Sequence, residues 1–132
     1  RLVGSEMCIR DSIETDPDGP MFYVRDMILI VVKWPIKPKY ADQWPELSAE
    51  FTEATRAEPG CKWFDWSRSL DDPNTYVLVE AFEDDAAEAH VTSNHFKQAQ
   101  AELPKYLAAT PDIINTTIAD DDWSKLGEMQ VD

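Results

Sequence analysis

Residues 27–34 read MILIVVKW, an apolar run rich in β-branched side chains and broken only by Lys33, closed by Pro35 and, three residues on, Pro38. Helical amphipathicity would leave polar gaps, and a half-wet strand would alternate. A continuous run of this length describes a strand buried on both faces. Downstream, Tyr40, Trp44, Leu47, Phe51 and Ala54 recur at steps of four, three, four and three. That is a helical stripe. Pro45 sits inside it, so the helix starts or kinks there, and Glu58-Pro59-Gly60 stops it. Cys61–Leu70 (CKWFDWSRSL) reads as a second strand and Thr75–Phe82 (TYVLVEAF) as a third. The turn cluster Asp71-Asp72-Pro73-Asn74 between them makes a hairpin. Asp84 is placed to cap a helix through Ala86, Ala87, Ala89 and His90. Ser93 is placed to cap another from Asn94 to about Leu103, with Pro104 as a break. Ile113–Ile118 (IINTTI) is the fourth strand.

The order β-α-β-β-α-β is the ferredoxin-like split βαβ pattern, an α+β fold with an antiparallel sheet and helices on one face. The other face of such a sheet should show period-two polarity if it meets water. Here it does not. Trp63 points opposite to Phe64 and Trp66, and Val77, Val79 and Ala81 oppose Tyr76, Leu78 and Glu80. Large apolar groups on both faces predict a homodimer with facing sheets, a barrel-like α/β assembly.

At 132 residues the chain has room for one domain. Its formal net charge of −14 argues against a grip on nucleic acid, where Lys and Arg must meet phosphates, and against an anionic membrane. No apolar run approaches the ~20 residues of a membrane helix. Residues 1–12 (RLVGSEMCIRDS) resemble a translated sequencing-adapter fragment. Ile13–Asp26, acidic and holding Pro17, Gly19 and Pro20, reads as a disordered leader. The expected division is therefore a leader over 1–26, the domain over 27–118 and a tail over 119–132, with Met21 or Met27 as the natural start. With Cys8 set aside, Cys61 is a lone cysteine, which suits the reducing cytoplasm.

Side chains with chemistry are few. There is no GxGxxG, GxxxxGK, CxxC or HExxH in the sequence. His90 and His95 are five apart, and on one unbroken helix they would diverge by roughly 140°, so no metal site is expected. The aspartates at 120–122 read as a solvated turn. Each histidine and tryptophan also has a plain packing role open to it.

Glu58-Pro59-Gly60-Cys61, the Asp71-Asp72-Pro73 turn, Glu80 on the third strand and His90-Val91-Thr92-Ser93-Asn94-His95-Phe96 follow one another in an order and spacing that closely resemble the antibiotic-biosynthesis monooxygenase domain family, including its quinol-monooxygenase-like members. The resemblance covers about Met27–Thr117. It implies a ferredoxin-like dimer and, often, oxygenation of dihydroxy-aromatic compounds by dioxygen without metal or flavin. Matching positions are Gly60, Cys61, Glu80, His90, His95 and Phe96; Lys62 departs from the pattern. The segment Gln98-Ala99-Gln100-Ala101 lacks the histidine typical of the haem-degrading branch. On this basis His90, His95 and Glu80 are the expected catalytic residues, with His90 as base and Glu80 orienting it. Trp34, Trp63, Phe64, Trp66 and Phe96 are the expected pocket walls. The expected partners are a small quinol-like aromatic and dioxygen, with no cofactor. A small-metabolite isomerase of the same fold and a non-catalytic dimeric binding module stay open as alternatives.

Overall fold

The computed structural model describes residues 26–119 and 122–131. Four strands form one antiparallel sheet: β1 (Met27–Pro35), β2 (Cys61–Arg68), β3 (Thr75–Glu83) and β4 (Asp112–Ile118), in the spatial order β2-β3-β1-β4. The crossover from β1 to β2 carries a 3-10 turn (Pro38–Gln43) and two helices, α1 (Trp44–Leu47) and α2 (Ala49–Arg56). The crossover from β3 to β4 carries α3 (Ala87–Val91), α4 (Asn94–Glu102) and a 3-10 turn (Leu103–Tyr106). Pro45 lies in the first turn of α1, where its missing N–H costs nothing. The expected β-α-β-β-α-β order and the one-sided helical layer are both present.

β1 is central and pairs with both neighbours; apart from the exposed Lys33 its sequence is apolar, with Met27 and Val32 buried and the other residues half-buried rather than buried on both faces. Its register sets Ile30 opposite Glu80 and Asn115, and Glu80 opposite Phe64. That row runs straight across the helix-covered face. On the same face Val32, Phe64, Tyr76 and Leu78 pack with Ile36, Trp44, Phe51 and Leu103 into the core. Burying a side chain such as Leu78 or Phe64 contributes roughly 1.5–3 kcal/mol.

Several boundaries differ from the sequence reading. β2 ends at Arg68, because Ser69 turns the chain: its Oγ accepts from the backbone of Asp71 and Asp72. The residue that opens α3 is Ala86, not Asp84, and it makes no side-chain cap. Ser93 does cap α4, its Oγ accepting from the Phe96 N–H at 3.2 Å. Of the expected leader only Asp26 is described, and it is buried against the start of β1; the adapter-like string lies outside the described residues. In the tail, Trp123 packs against Trp63 with the rings tilted by 38° and centroids 5.2 Å apart, so the chain itself covers part of the helix-free face.

Candidate active site

A cavity of about 240 Å³ lies between the sheet and the second helical crossover. Val32, Trp34 and Leu78 form its floor, Phe51 and Phe96 its walls, and Pro111 and Ile113 its rim at β4. The polar groups exposed to it are few, and two of them are Glu80 and His90. Both are buried, at 6% and 4% exposure.

His90 sits near the end of α3, held by aromatic rings. Phe82 stacks on it with centroids 4.8 Å apart, and Phe96 meets it edge-on at 5.0 Å. Its Nδ1 donates to Glu58 Oε2 at 2.8 Å. His95 Nε2 is hydrogen-bonded to the same Glu58 oxygen. An ionised carboxylate can only accept, so both rings place their N–H on Glu58, and His90 keeps its Nε2 lone pair.

Two expectations fail here. The carboxylate that fixes His90 is Glu58, not Glu80. The two histidines also converge instead of diverging. A divergence of 140° holds only on one continuous helix, but α3 ends at Val91 and Ser93 is extended (φ −72°, ψ 159°), so α4 restarts in a new direction. Side-chain exposure rises from 6% at His90 through 12% at Glu58 to 24% at His95. The triad thus runs outward from the cavity. His95 lines a separate outer groove of about 110 Å³ between α2 and α4, together with Glu50, Gln98 and Glu102.

Glu58 is positioned by the tight connection after α2. Glu83 N–H donates to Gly60 O at 2.9 Å, and Gly60 lies so close to Ala86 that a β-carbon there would stand 2.2 Å from the Ala86 Cβ. Only glycine lets the Glu58 loop approach the start of α3 in this way.

Of the five expected walls, Trp34 and Phe96 line the cavity. Phe64 and Trp66 are not among its lining residues: Phe64 is buried in the core, and Trp66 faces a different hollow with Trp44 and Arg56. Trp63 is on the opposite face with Trp123. Phe51, which the sequence reading placed in a helical stripe, supplies a wall and touches both histidine rings.

Burial pushes the Glu80 carboxyl up to about 8, with the charge of Glu58 adding to the effect. Burial also lowers His90 below its ordinary value, against the raising pull of its Glu58 hydrogen bond. At neutral pH the cavity therefore holds a protonated acid beside a neutral imidazole. Burial, with Glu58 and Glu80 nearby, raises the Cys61 thiol to about 11. That suits a packed cysteine rather than a nucleophile.

Residues 27–102, more than half of the chain, match the family model described as antibiotic biosynthesis monooxygenase. The chain belongs to that family. Among curated members, the "Putative monooxygenase YcnE" of Bacillus subtilis (strain 168) is 25% identical over 95 residues, covering 71% of this chain and 100% of the relative. Two solved structures, each described as a "putative antibiotic biosynthesis monooxygenase", share the fold. One, from Caulobacter crescentus CB15, has a TM-score of 0.66 at 24% identity and covers 76% of this chain and 94% of its own. The other, from Nitrosomonas europaea, has a TM-score of 0.64 at 24% identity and covers 72% and 92%. Family membership agrees with a small-molecule site, and among the described residues no helix is long and apolar enough to cross a membrane.

Proposed function

We propose that this protein is a cofactor-independent monooxygenase that oxidises a small quinol-like aromatic with dioxygen. The observation that carries the reading is the cavity and its unmet polar atoms. A cavity of roughly 150 Å³ accepts a benzene ring, so about 240 Å³ has room for one substituted ring. Trp34 Nε1 and Glu80 Oε1 are buried with no hydrogen-bond partner among the described residues, and both residues line this cavity. A flat apolar ring bearing hydroxyl groups would fill the space and satisfy both.

The chemistry asks little of the protein. A quinol plus dioxygen gives a hydroxylated quinone plus water, so the substrate supplies all the electrons. His90 Nε2 takes the phenolic proton, while Glu58 holds the ring in the tautomer that leaves this nitrogen free. The resulting electron-rich anion reduces dioxygen. Protonated Glu80 donates to a substrate oxygen, and the aromatic walls exclude water. His95 shares Glu58 with His90 and stabilises the carboxylate from the outside.

Facing-sheet dimerisation belongs to the same proposal. Ile114 on β4 is 70% exposed, and Leu29, Val31 and Val79 follow the same alternation on the helix-free face. A cytoplasmic location is proposed with it, in keeping with the free Cys61 thiol. The experiment is oxygen uptake by chelator-treated protein across a panel of quinols. Stoichiometric uptake with release of a hydroxylated quinone is expected. Absence of uptake throughout, with thermal stabilisation by the same compounds, would replace this reading with a binding module.

A further inference from the structure

We propose that Glu58, His90 and His95 also form a site for one divalent ion of the zinc class, and that occupancy of this site switches off the cavity base. Three elements deliver the donors: the loop after α2, the end of α3 and the start of α4. His90 Nδ1, His95 Nε2 and one Glu58 oxygen all lie within 4.8 Å of one another. Two imidazoles and a carboxylate are the donor set of open, three-ligand zinc sites.

The change of geometry falls mainly on His95. Zinc-type ions bind nitrogen at about 2.0–2.1 Å and carboxylate oxygen at about 2.0–2.2 Å, which sets donor atoms roughly 3–3.5 Å apart. His90 Nδ1 and Glu58 Oε2 are 2.8 Å apart and would open by about half an ångström, while His95 Nε2, closer still to the same oxygen, would move further. His95 stands on its own short helix beside an outer groove and is the donor free to make the larger shift. The same groove, flanked by Glu50 and Glu102, offers a route for a cation from solvent. Mg²⁺ and Ca²⁺ require six or more oxygens. The triad offers one carboxylate in an aromatic surround of Phe51 and Phe82, which selects for nitrogen-binding transition ions.

The consequence for His90 rests on the function proposed above. A neutral imidazole carries one proton. Without metal that proton sits on Nδ1, facing Glu58, and Nε2 is the base. With metal on Nδ1 the proton moves to Nε2, and the cavity loses its acceptor. No proton leaves the ring; only the tautomer changes.

The test uses the full, untagged chain, stripped with chelator and titrated with Co²⁺. Visible d–d absorption and equilibrium dialysis read the binding. One equivalent per chain is expected, displaced by Zn²⁺ and unaffected by excess Mg²⁺. His95→Ala and Glu58→Gln should each weaken binding at least tenfold, with circular dichroism to verify folding. His95 is partly exposed, so its variant decides the matter should Glu58→Gln fail to fold. No stoichiometric uptake, or uptake unchanged in His95→Ala, overturns the site. In the activity arm, Zn²⁺ should suppress oxygen uptake and chelator restore it. Tight binding with undiminished uptake overturns the switch. A wild-type protein that binds Co²⁺ but consumes no oxygen with any quinol refutes the proposed activity and leaves the site standing.

Discussion

Gly60 lies against Ala86 at a separation that leaves no room for a second β-carbon: one added at Gly60 would meet the Ala86 Cβ at 2.2 Å. This contact joins the loop that carries Glu58 to the helix that carries His90. The pairing of carboxylate and imidazole therefore depends on a missing methyl group.

Gly60→Ala should force the two segments apart. Overpacking of this kind costs about 1–3 kcal/mol, a fall of several degrees in melting temperature for a domain of this size. Turnover should fall further than stability accounts for, since Glu58 moves with the loop. Adding Ala86→Gly should recover most of both losses, and a double variant no better than the single one would place the strain elsewhere.

Glu58→Gln keeps the shape of the side chain and removes its charge. The amide oxygen still accepts but without charge, and its NH2 can turn to donate instead, so the tautomer of His90 is no longer enforced. The catalytic constant for quinol oxidation should drop by about 10²–10⁴-fold, the usual worth of a positioned general base. Full turnover in a folded Glu58→Gln protein would make the triad a purely structural clasp.

Glu80 makes a prediction about stability rather than rate. Its carboxyl, raised to about 8 in the fold by burial and then by Glu58, returns to the ordinary carboxylate range on unfolding. Between those two values the folded state holds more protons than the unfolded one. Stability should therefore fall as pH rises from about 5 to 8 and level off above. Melting temperatures of wild type and Glu80→Gln, measured across that window, should diverge with rising pH as the variant loses the slope. Parallel curves would show that Glu80 does not retain its proton.

Assembly can be checked by sedimentation velocity. At micromolar concentration the chain should run near twice its own mass. Ile114→Lys, on the helix-free face, should weaken association by more than tenfold, at least about 1.4 kcal/mol. A wild-type monomer at that concentration would leave Ile114 and its neighbours without the proposed partner.

His90→Ala should cost the fold as well as the rate, because His90 is only 4% exposed. In the structure it is packed against Phe82, Phe96 and Phe51. Truncation then leaves a void and takes from Glu58 Oε2 one of its two imidazole partners, so a loss of roughly 1–3 kcal/mol is expected alongside the loss of turnover. His90→Gln separates the two effects better.

Local patterns in the sequence were enough for the sheet. An unbroken apolar run marked the central strand, a turn cluster marked the hairpin, and Ser93 marked a helix start. The site was harder to read because its key pairing is not local. Glu58 precedes His90 by 32 residues and His95 by 37, and in sequence it looks like part of a helix stop. The clue lay in Ser93 itself: a cap between the histidines means two helices, and a 140° divergence applies only to one. Trp63 was misassigned to the cavity although strand alternation already set it opposite Phe64. Its partner Trp123 comes from a tail with no periodic signal.

The indole rings fall into two groups. Trp34, Trp44 and Trp66 have mutual centroid separations of 5.5–5.7 Å on the helix side of the sheet, and Trp63 packs with Trp123 on the other side. The first group includes a cavity wall; the second holds the tail to the sheet. At such spacings the indole transitions couple, so each group has its own chiroptical and emission signature. A quinone in the cavity would quench the first group by energy or electron transfer, while release of the tail would dim the second. Filling of the cavity and detachment of the tail can thus be followed separately by light, with no added label.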